Sequence, residues 1–190
     1  MLFDSKNTRD EIWTAVAHEL HRGALDSKHA FRYVNLATNG KGYPEIRTVV
    51  LRGVDADLNF YIFTDSRSQK VEEIKRDQPV SLHFYHPKKR VQIRVQAKAE
   101  IHQNNDLALE LWQRVQGNAQ KAYNSTFSPG EKIKSPSEGW DWPQEMNSDF
   151  FAVIRFKPEK IEALQLDRLN HLRIEFEKVA GEWEGQWLVP

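Results

Sequence analysis

RTVVLRGVDADLNFYIFTDSRSQKVEEIKRDQPVSLHFYHPKKRVQIRVQAKAE, residues 47–100, is the stretch that decides the fold. Its end is the clearest part. Val91, Ile93, Val95, Ala97, Ala99 and Ile101 alternate with Gln92, Arg94, Gln96, Lys98 and Glu100. A period of two over that length predicts a long strand with one buried and one polar face. PVSLHFYHP at 79–87 and LNFYIFTD at 58–65 also read as strands, the latter entered through the turn residues Asp55 and Asp57. Between them, Ser66 or Ser68 caps a short helix over 67–76. At the start, Arg47 lies in a further strand-like run, EIRTVVLRGV at 45–54. Fixed cations beside a helix start suit a phosphate, and a polar strand face can read the heteroatom edge of a planar ring. The stretch therefore points to a nucleotide-like cofactor rather than a metal or a covalent nucleophile.

Working outward, Thr8 and Glu11 form a capping box for a helix whose stripe is Ile12, Val16 and Leu20 and whose end falls near Gly23. FRYVNLAT at 31–38 is a strand followed by the turn-former NGKG. A helix fits 105–116 through Leu107, Leu111 and Val115. Residues 128–148, rich in Pro, Gly and Ser, form a long loop of the kind that serves as a lid or binding segment. FFAVIRFKP, HLRIEFEKV and EWEGQWLVP supply three last strands, the final two joined through Ala180–Gly181. Many strands without β-α-β alternation predict an antiparallel barrel or sandwich. Length predicts one domain over 1–190, with 1–28 as its N-terminal helical segment.

Composition narrows the chemistry. The 27 basic and 27 acidic residues cancel, so no long-range field favours nucleic acid or anionic lipid. No apolar run spans a membrane and no signal peptide opens the chain, so the expectation is a soluble cytoplasmic protein. Cysteine is absent, which removes disulfides, thiolate nucleophiles and Cys-ligated metals. Redox chemistry would need a bound cofactor.

The order of motifs, RTVVLRG, then TDSRSQK at 64–70, then QIRVQAKAE at 92–100, then RLNHLRIEF and a closing WLVP, resembles the pyridoxamine 5′-phosphate oxidase-like family of FMN-binding split β-barrels. The variant looks closer to its less-characterised flavin-binding branch than to the dedicated vitamin B6 enzyme. The resemblance implies a mainly β, antiparallel split barrel with a few peripheral helices, acting as a homodimer with FMN sites shared between chains. It places Arg47, Thr48, Val49, Val50 and Leu51 along the flavin. Phe63 and Thr64 close on its ribityl and phosphate end, and Lys70, Ser68 and Arg67 hold the phosphate. Gln92 reaches in from the partner chain. Arg173 lies against the ring, and Arg168 and His171 contact a small-molecule substrate. Arg52 and Arg114 take the positions of the B6 enzyme's substrate-phosphate cations.

The resemblance also has gaps. No Tyr or Ser accompanies Arg114, RLNHLR matches the family's arginine–histidine stretch only with one inserted residue, Leu164 stands where an aromatic is expected, and Gln69 replaces a usual Arg. The function expected is an FMN-dependent oxidoreductase on a small substrate. The alternatives are a genuine pyridoxamine or pyridoxine phosphate oxidase, a non-catalytic flavin-binding or stress-related module, and a barrel binding haem through His83 or His171. No metal site is expected, since His83 and His86, three apart on a strand, face opposite ways, and His18 and His21 lack a third ligand. Trp140 and Trp142 either cover the flavin or anchor the long loop.

Overall fold

The computed structural model describes residues 1–190. Helix α1 (Arg9–Leu25) is followed by strands β1 (Tyr33–Asn39), β2 (Pro44–Val50), β3 (Gly53–Val54) and β4 (Phe60–Asp65). Helix α2 (Gln69–Arg76), strands β5 (Pro79–His86) and β6 (Val91–His102), and helix α3 (Asp106–Trp112) come next. The long strand β7 (Phe151–Gln165) leads to the hairpin β8 (Leu172–Val179) and β9 (Glu182–Leu188). All nine strands join one sheet of antiparallel pairs, in the order β2-β1-β5-β6-β7-β4-β3, with β8 and β9 attached beside β7.

The split of the barrel is visible in β7. Its first residues, 151–156, pair with β4, and its last, 160–165, pair with β8. Strand β6 follows it throughout, with a register shift at Gln96/Ala97. The two ends of the hydrogen-bonded path, β2 and β3, are neighbours in the chain. Leu51 N donates to Arg32 O at 2.9 Å, and Arg52 N donates to Tyr61 O at 2.8 Å. Successive amides thus serve opposite edges, and the barrel is bridged there by covalent chain rather than by a ladder. The run expected to be one strand over 45–54 is broken at this point.

Alternation builds the core as expected. Val91, Ile93, Val95, Ala97 and Ala99 are all buried, and Phe84 packs edge-on against Phe31 at 5.4 Å and tilted against Phe60 at 5.8 Å. The capping box at Thr8 and Glu11 is formed. Trp13 of α1 stacks on Phe176 and Trp183, both at 4.9 Å, which fastens this helix to the β8–β9 ribbon. Helix α1 runs past Gly23 to Leu25. A Cβ at that glycine would lie 2.7 Å from Phe31 Cβ, so the residue is there for close approach, not as a helix stop. Helix α3 stops at Trp112, short of the 116 expected, and Gly117 (φ +58°) opens a 3-10 turn over 117–123. The hairpin turn lies at Ala180–Gly181, both with positive φ.

Residues 124–150 form a strand-free loop with one 3-10 turn, 136–140. Trp142 anchors it: its Nε1 donates to Lys121 O at 3.0 Å, and Lys121 Nζ lies 4.8 Å from its ring centroid. Trp140 is exposed. Arg67 is the other anchor. It donates to both oxygens of Asp65 (3.0 and 2.7 Å) and to Ser125 O (2.7 Å), with its guanidinium 3.7 Å from the Phe150 ring centroid. Arg67→Ala should lower stability by about 1–3 kcal/mol, from charge-assisted bonds and the cation–π contact. Amide exchange should accelerate within 124–150 before it does so elsewhere. Uniform exchange would contradict this anchoring role.

A buried charge cluster joins α1 to the β5–β6 turn. Glu19 accepts from His29 Nε2 at 3.0 Å and pairs with Lys89 at 2.6 Å and Arg22 at 3.5 Å, with His86 close by. His29 Nδ1 accepts from Phe31 N at 3.1 Å, so its proton sits on Nε2 and the ring offers a metal no lone pair in this arrangement.

Candidate functional site

Residues 64–70 turn the end of β4 into the start of α2. Thr64, Ser66 and Ser68 are buried there. Lys70 folds back so that its Nζ donates to Thr64 Oγ1 at 2.9 Å and Ser68 Oγ at 3.0 Å. The two hydroxyls lie 3.2 Å apart. Ser68 occupies the N-cap position of α2, but its hydroxyl makes no capping bond and is turned to Lys70 instead. The Lys70 ammonium makes no ion pair, and its pKa is pushed below the ordinary lysine value, first by burial and then by the nearby Arg47 charge. A half-buried cation with only hydroxyl partners, beside the amides of a helix start, is a ready place for an anion.

The other cations expected around a cofactor carry carboxylate partners in this chain. Arg47 donates to Glu73 Oε2 at 2.9 Å and to Thr38 Oγ1, and Thr38 itself donates to Glu73 at 2.6 Å. Gln69 completes the set with a 2.7 Å bond to Glu73 Oε1. Glu73 is buried; burial alone would raise its pKa, and Thr38, Gln69 and Arg47 hold it low. Arg47 therefore stands next to the Lys70 cradle with its charge already balanced. Arg67, expected at the phosphate, points instead to Asp65 and the long loop.

Of the flavin-lining run, Thr48 bonds to Asn35 (3.0 Å) on the outer sheet face, while Val49 and Val50 are half-buried. The Leu51 side chain is fully buried in the core, so its backbone is what it can present to a ligand. Gln92 is half-buried and its Oε1 lies 3.2 Å from His83 Nε2. Arg173 donates to the buried Glu162 at 2.7 Å, and Arg94 grips the same carboxylate through two bonds (3.0 and 2.8 Å). Arg173 Nε is buried without any partner. Arg168 and His171 lie on the exposed turn between β7 and β8, where Arg168 has φ +43° and His171 Nδ1 accepts from Asp167 N at 3.1 Å.

Arg52 and Arg114 do come together. With Asp55, Tyr61, Phe63 and Glu110 they line a cavity of about 270 Å³ between β3–β4 and α3. The chain thus presents three groups: the Lys70 cradle, this cavity, and the Gln92–Arg173 face with its turn. Thr64 pairs with Ala152 and Arg173 with Leu164, so the first and third groups lie on the order of 40 Å apart along the path of β7. Sequence reasoning missed the carboxylates Glu73, Glu162, Asp65 and Glu110. Two were signalled by helical spacing, Gln69–Glu73 and Glu110–Arg114, each four residues apart.

Comparison with known proteins bears on this arrangement. The family described as pyridoxamine 5′-phosphate oxidase, FMN-binding domain, matches residues 10–103. A pyridoxine/pyridoxamine 5′-phosphate oxidase of Acinetobacter baumannii (strain SDF) is 30% identical over 172 residues, covering 83% of this chain and 77% of its own. The chain belongs to the pyridoxamine 5′-phosphate oxidase FMN-binding family. A second member, pyridoxine/pyridoxamine 5′-phosphate oxidase 2 of Hydrogenovibrio crunogenus, is 26% identical and covers 98% of this chain and 92% of its own. Among solved structures, a pyridoxamine 5′-phosphate oxidase-related FMN-binding protein of Nostoc punctiforme superposes with a TM-score of 0.78 at 25% identity, over 93% of this chain and 96% of its own. PhzG of Burkholderia lata shares the fold at TM-score 0.69 and 19% identity, over 94% and 89% of the two chains.

FMN is this family's cofactor, and the chain's own atoms fit it. Its phosphate carries close to two negative charges. The Lys70 ammonium, free of any ion pair, the Thr64 and Ser68 hydroxyls and the first amides of α2 are donors of the kind such a dianion requires.

Proposed function

We propose that this protein is an FMN-dependent oxidoreductase acting on a small substrate, as a homodimer whose sites each draw on both chains. The observation that carries the cofactor assignment is the Lys70 ammonium held by two hydroxyls with no counter-ion. FMN, when bound, supplies a two-electron acceptor for the substrate. In this reading the residues bind and orient. Lys70, Thr64 and Ser68 hold the phosphate, with Arg47 and Glu73 keeping α2 in place beside it. Backbone from Thr48 to Leu51 runs along the flavin, and Phe63 packs near its ribityl end. The separation along β7 supports a shared site, in which Gln92 and Arg173 reach the flavin held by the other chain. Arg173 places positive charge by the ring, moderated by Glu162, and Arg168 and His171 meet the substrate. Residues 128–148 serve as its cover.

Mixing two impaired variants at a flavin concentration that fills only an intact site tests the shared site. Lys70→Met and Arg173→Ala lie in the same site only when different chains build it. Co-refolded mixed dimers should then recover one intact site each, restoring a tight flavin affinity and a reduction rate that neither parent reaches. Failure to recover any would remove the shared-site reading.

The second reading is a true pyridoxine or pyridoxamine phosphate oxidase. It is supported by the names of the relatives and by Arg52 and Arg114 sharing one cavity. Formation of pyridoxal phosphate from either substrate by the FMN-loaded protein decides it, and no turnover would dismiss it.

A further inference from the structure

The β7–β8 turn that carries Arg168 and His171 is exposed, yet its base is fixed by one fully buried side chain. Gln165, the last residue of β7, commits its whole amide to the backbone of other segments. Its Oε1 accepts from Leu2 N at 2.7 Å and Phe3 N at 3.4 Å, and its Nε2 donates to Lys89 O at 2.9 Å and Arg90 O at 3.0 Å. Two lone pairs and two N–H groups are the full capacity of a glutamine amide, so the group is saturated. Leu166 N adds a bond to Arg90 O at 2.8 Å, which closes the β5–β6 turn onto the start of the β7–β8 turn. Within the latter, Asn170 N donates to Asp167 O at 2.7 Å and Asp167 N donates to His171 Nδ1 at 3.1 Å, so the turn is one hydrogen-bonded unit. The two turns share a second peculiarity. Arg90 has φ +51° and Arg168 φ +43°, left-handed conformations that are unfavourable for any residue with a Cβ. The exposed Arg90–Asp167 pair, 3.4 Å apart, is too weak to impose them. The buried Gln165 amide grips the carbonyls of one turn, and its own backbone begins the other.

We propose that Gln165 is a positioning residue: its amide ties the N-terminal segment and the β5–β6 turn to the β7–β8 turn, holds Arg90 and Arg168 left-handed, and so fixes where Arg168 and His171 are presented. Backbone strain of this kind persists only where the surroundings over-determine it, and it gathers at sites that bind. A leucine of similar volume would fill the same space but leave Leu2 N and Lys89 O without their partners, and nothing would then hold the strained turns. The inference rests on the reading above, in which Arg168 and His171 meet the substrate, and it adds Leu2, Phe3 and Arg90 to the support behind them. The backbone state of the turn is measurable without FMN or substrate.

Gln165→Glu makes the latch titratable. A carboxylate there faces two carbonyl oxygens in a buried site, which raises its pKa, and only the protonated carboxyl keeps a donor for them. In NMR spectra of the full-length variant, the Cα shifts and HN–Hα couplings of Arg90 and Arg168 should report left-handed backbone on the acid side. Both residues should lose it together as pH rises through the ionisation. Amide exchange at Leu166 and Asn170, corrected for its intrinsic pH dependence, should accelerate at least about tenfold over the same range. The unaltered protein is the control and should show neither change. Gln165→Leu should lack the left-handed pair at every pH. A side chain that merely stabilises the fold would lower Tm without moving these φ values. Left-handed Arg168 in folded Gln165→Leu, or in ionised Gln165→Glu, overturns the proposal. So does loss at Arg90 and Arg168 in separate pH ranges, or global unfolding of Gln165→Glu as it ionises. Should Gln165→Leu fail to fold, the titration of Gln165→Glu from its folded acid side decides alone. The expected coupling in a protein that takes up no FMN would leave Gln165 its hold on the turn and refute the cofactor assignment instead.

Discussion

Replacing Lys70 by methionine should weaken FMN binding sharply while leaving the cofactor-free fold at least as stable. The lost contact is a charge-assisted bond to a dianion in a half-buried site, and such bonds contribute about 1.5–3 kcal/mol, so affinity should fall roughly 10- to 100-fold. Stability moves the other way because the ammonium makes no ion pair, and burial with the Arg47 charge outweighs the more distant Asp65 and Glu73. Its pKa is depressed in the folded protein by burial and by Arg47. Between the depressed folded value and the ordinary unfolded one, the unfolded chain binds more protons. Stability therefore rises with pH through that window, and at neutral pH the charged lysine is a net burden. Methionine removes the charge and keeps the stem packed. The same depression predicts that FMN affinity weakens as pH climbs through the lowered lysine pKa, because binding then requires proton uptake. Equilibrium unfolding of the FMN-free variant and fluorescence titration with FMN read the two effects separately. A variant that loses stability and affinity together would mean that Lys70 is a structural residue.

Glu19→Ala should be the most damaging single change to the fold outside the apolar core. The carboxylate is almost fully buried and collects His29, Lys89 and Arg22. Removing it strands the buried His29 Nε2–H and leaves Lys89 and Arg22 facing one another. Breaking a buried pair from one side costs about 3–5 kcal/mol, and the partial exposure of Lys89 and Arg22 puts this site near about 3. For a chain of this size that is a fall in Tm of about 6–12 °C. Glu19→Gln keeps an acceptor for His29 and should lose about half as much. Burial alone would raise the Glu19 pKa, but Lys89 and His29 hold it below the ordinary glutamate value. Its contribution is therefore complete above the unfolded pKa and disappears as pH falls through the lowered folded one. Thermal melts across the acid range should show the unaltered protein and the Ala variant converging at low pH. A constant gap would contradict the account.

Much of the fold was legible because local patterns agree with the global one. The alternation from Val91 to Ile101 fixes a face for β6, Thr8 and Glu11 fix the start of α1, and Ala180–Gly181 marks the last hairpin. The break at Leu51–Arg52 was not legible, because it arises when successive amides find acceptors on opposite edges, and neither residue signals a turn. The site divided in a similar way. The order of motifs singled out Lys70, Arg52 and Arg114, and the fold sets Lys70 against two hydroxyls and puts Arg52 and Arg114 on one cavity wall. The state of the cations depended on partners brought in by register, such as Glu162, which lies far from Arg94 in sequence yet pairs with it directly across β6 and β7. Arg67 shows the limit of reading charge alone. A carboxylate two residues earlier and a loop carbonyl 58 residues later take up its donors.

The most direct test is an FMN titration of the purified full-length protein, first stripped of any flavin, followed by quenching of flavin fluorescence and by the bound-flavin absorption spectrum. The account predicts saturation at one FMN per chain, with Lys70→Met shifted to roughly 10- to 100-fold higher concentration. No quenching by the unaltered protein, or a Lys70→Met curve that overlays it, would contradict the claim that this chain holds the flavin phosphate between Thr64, Ser68 and Lys70.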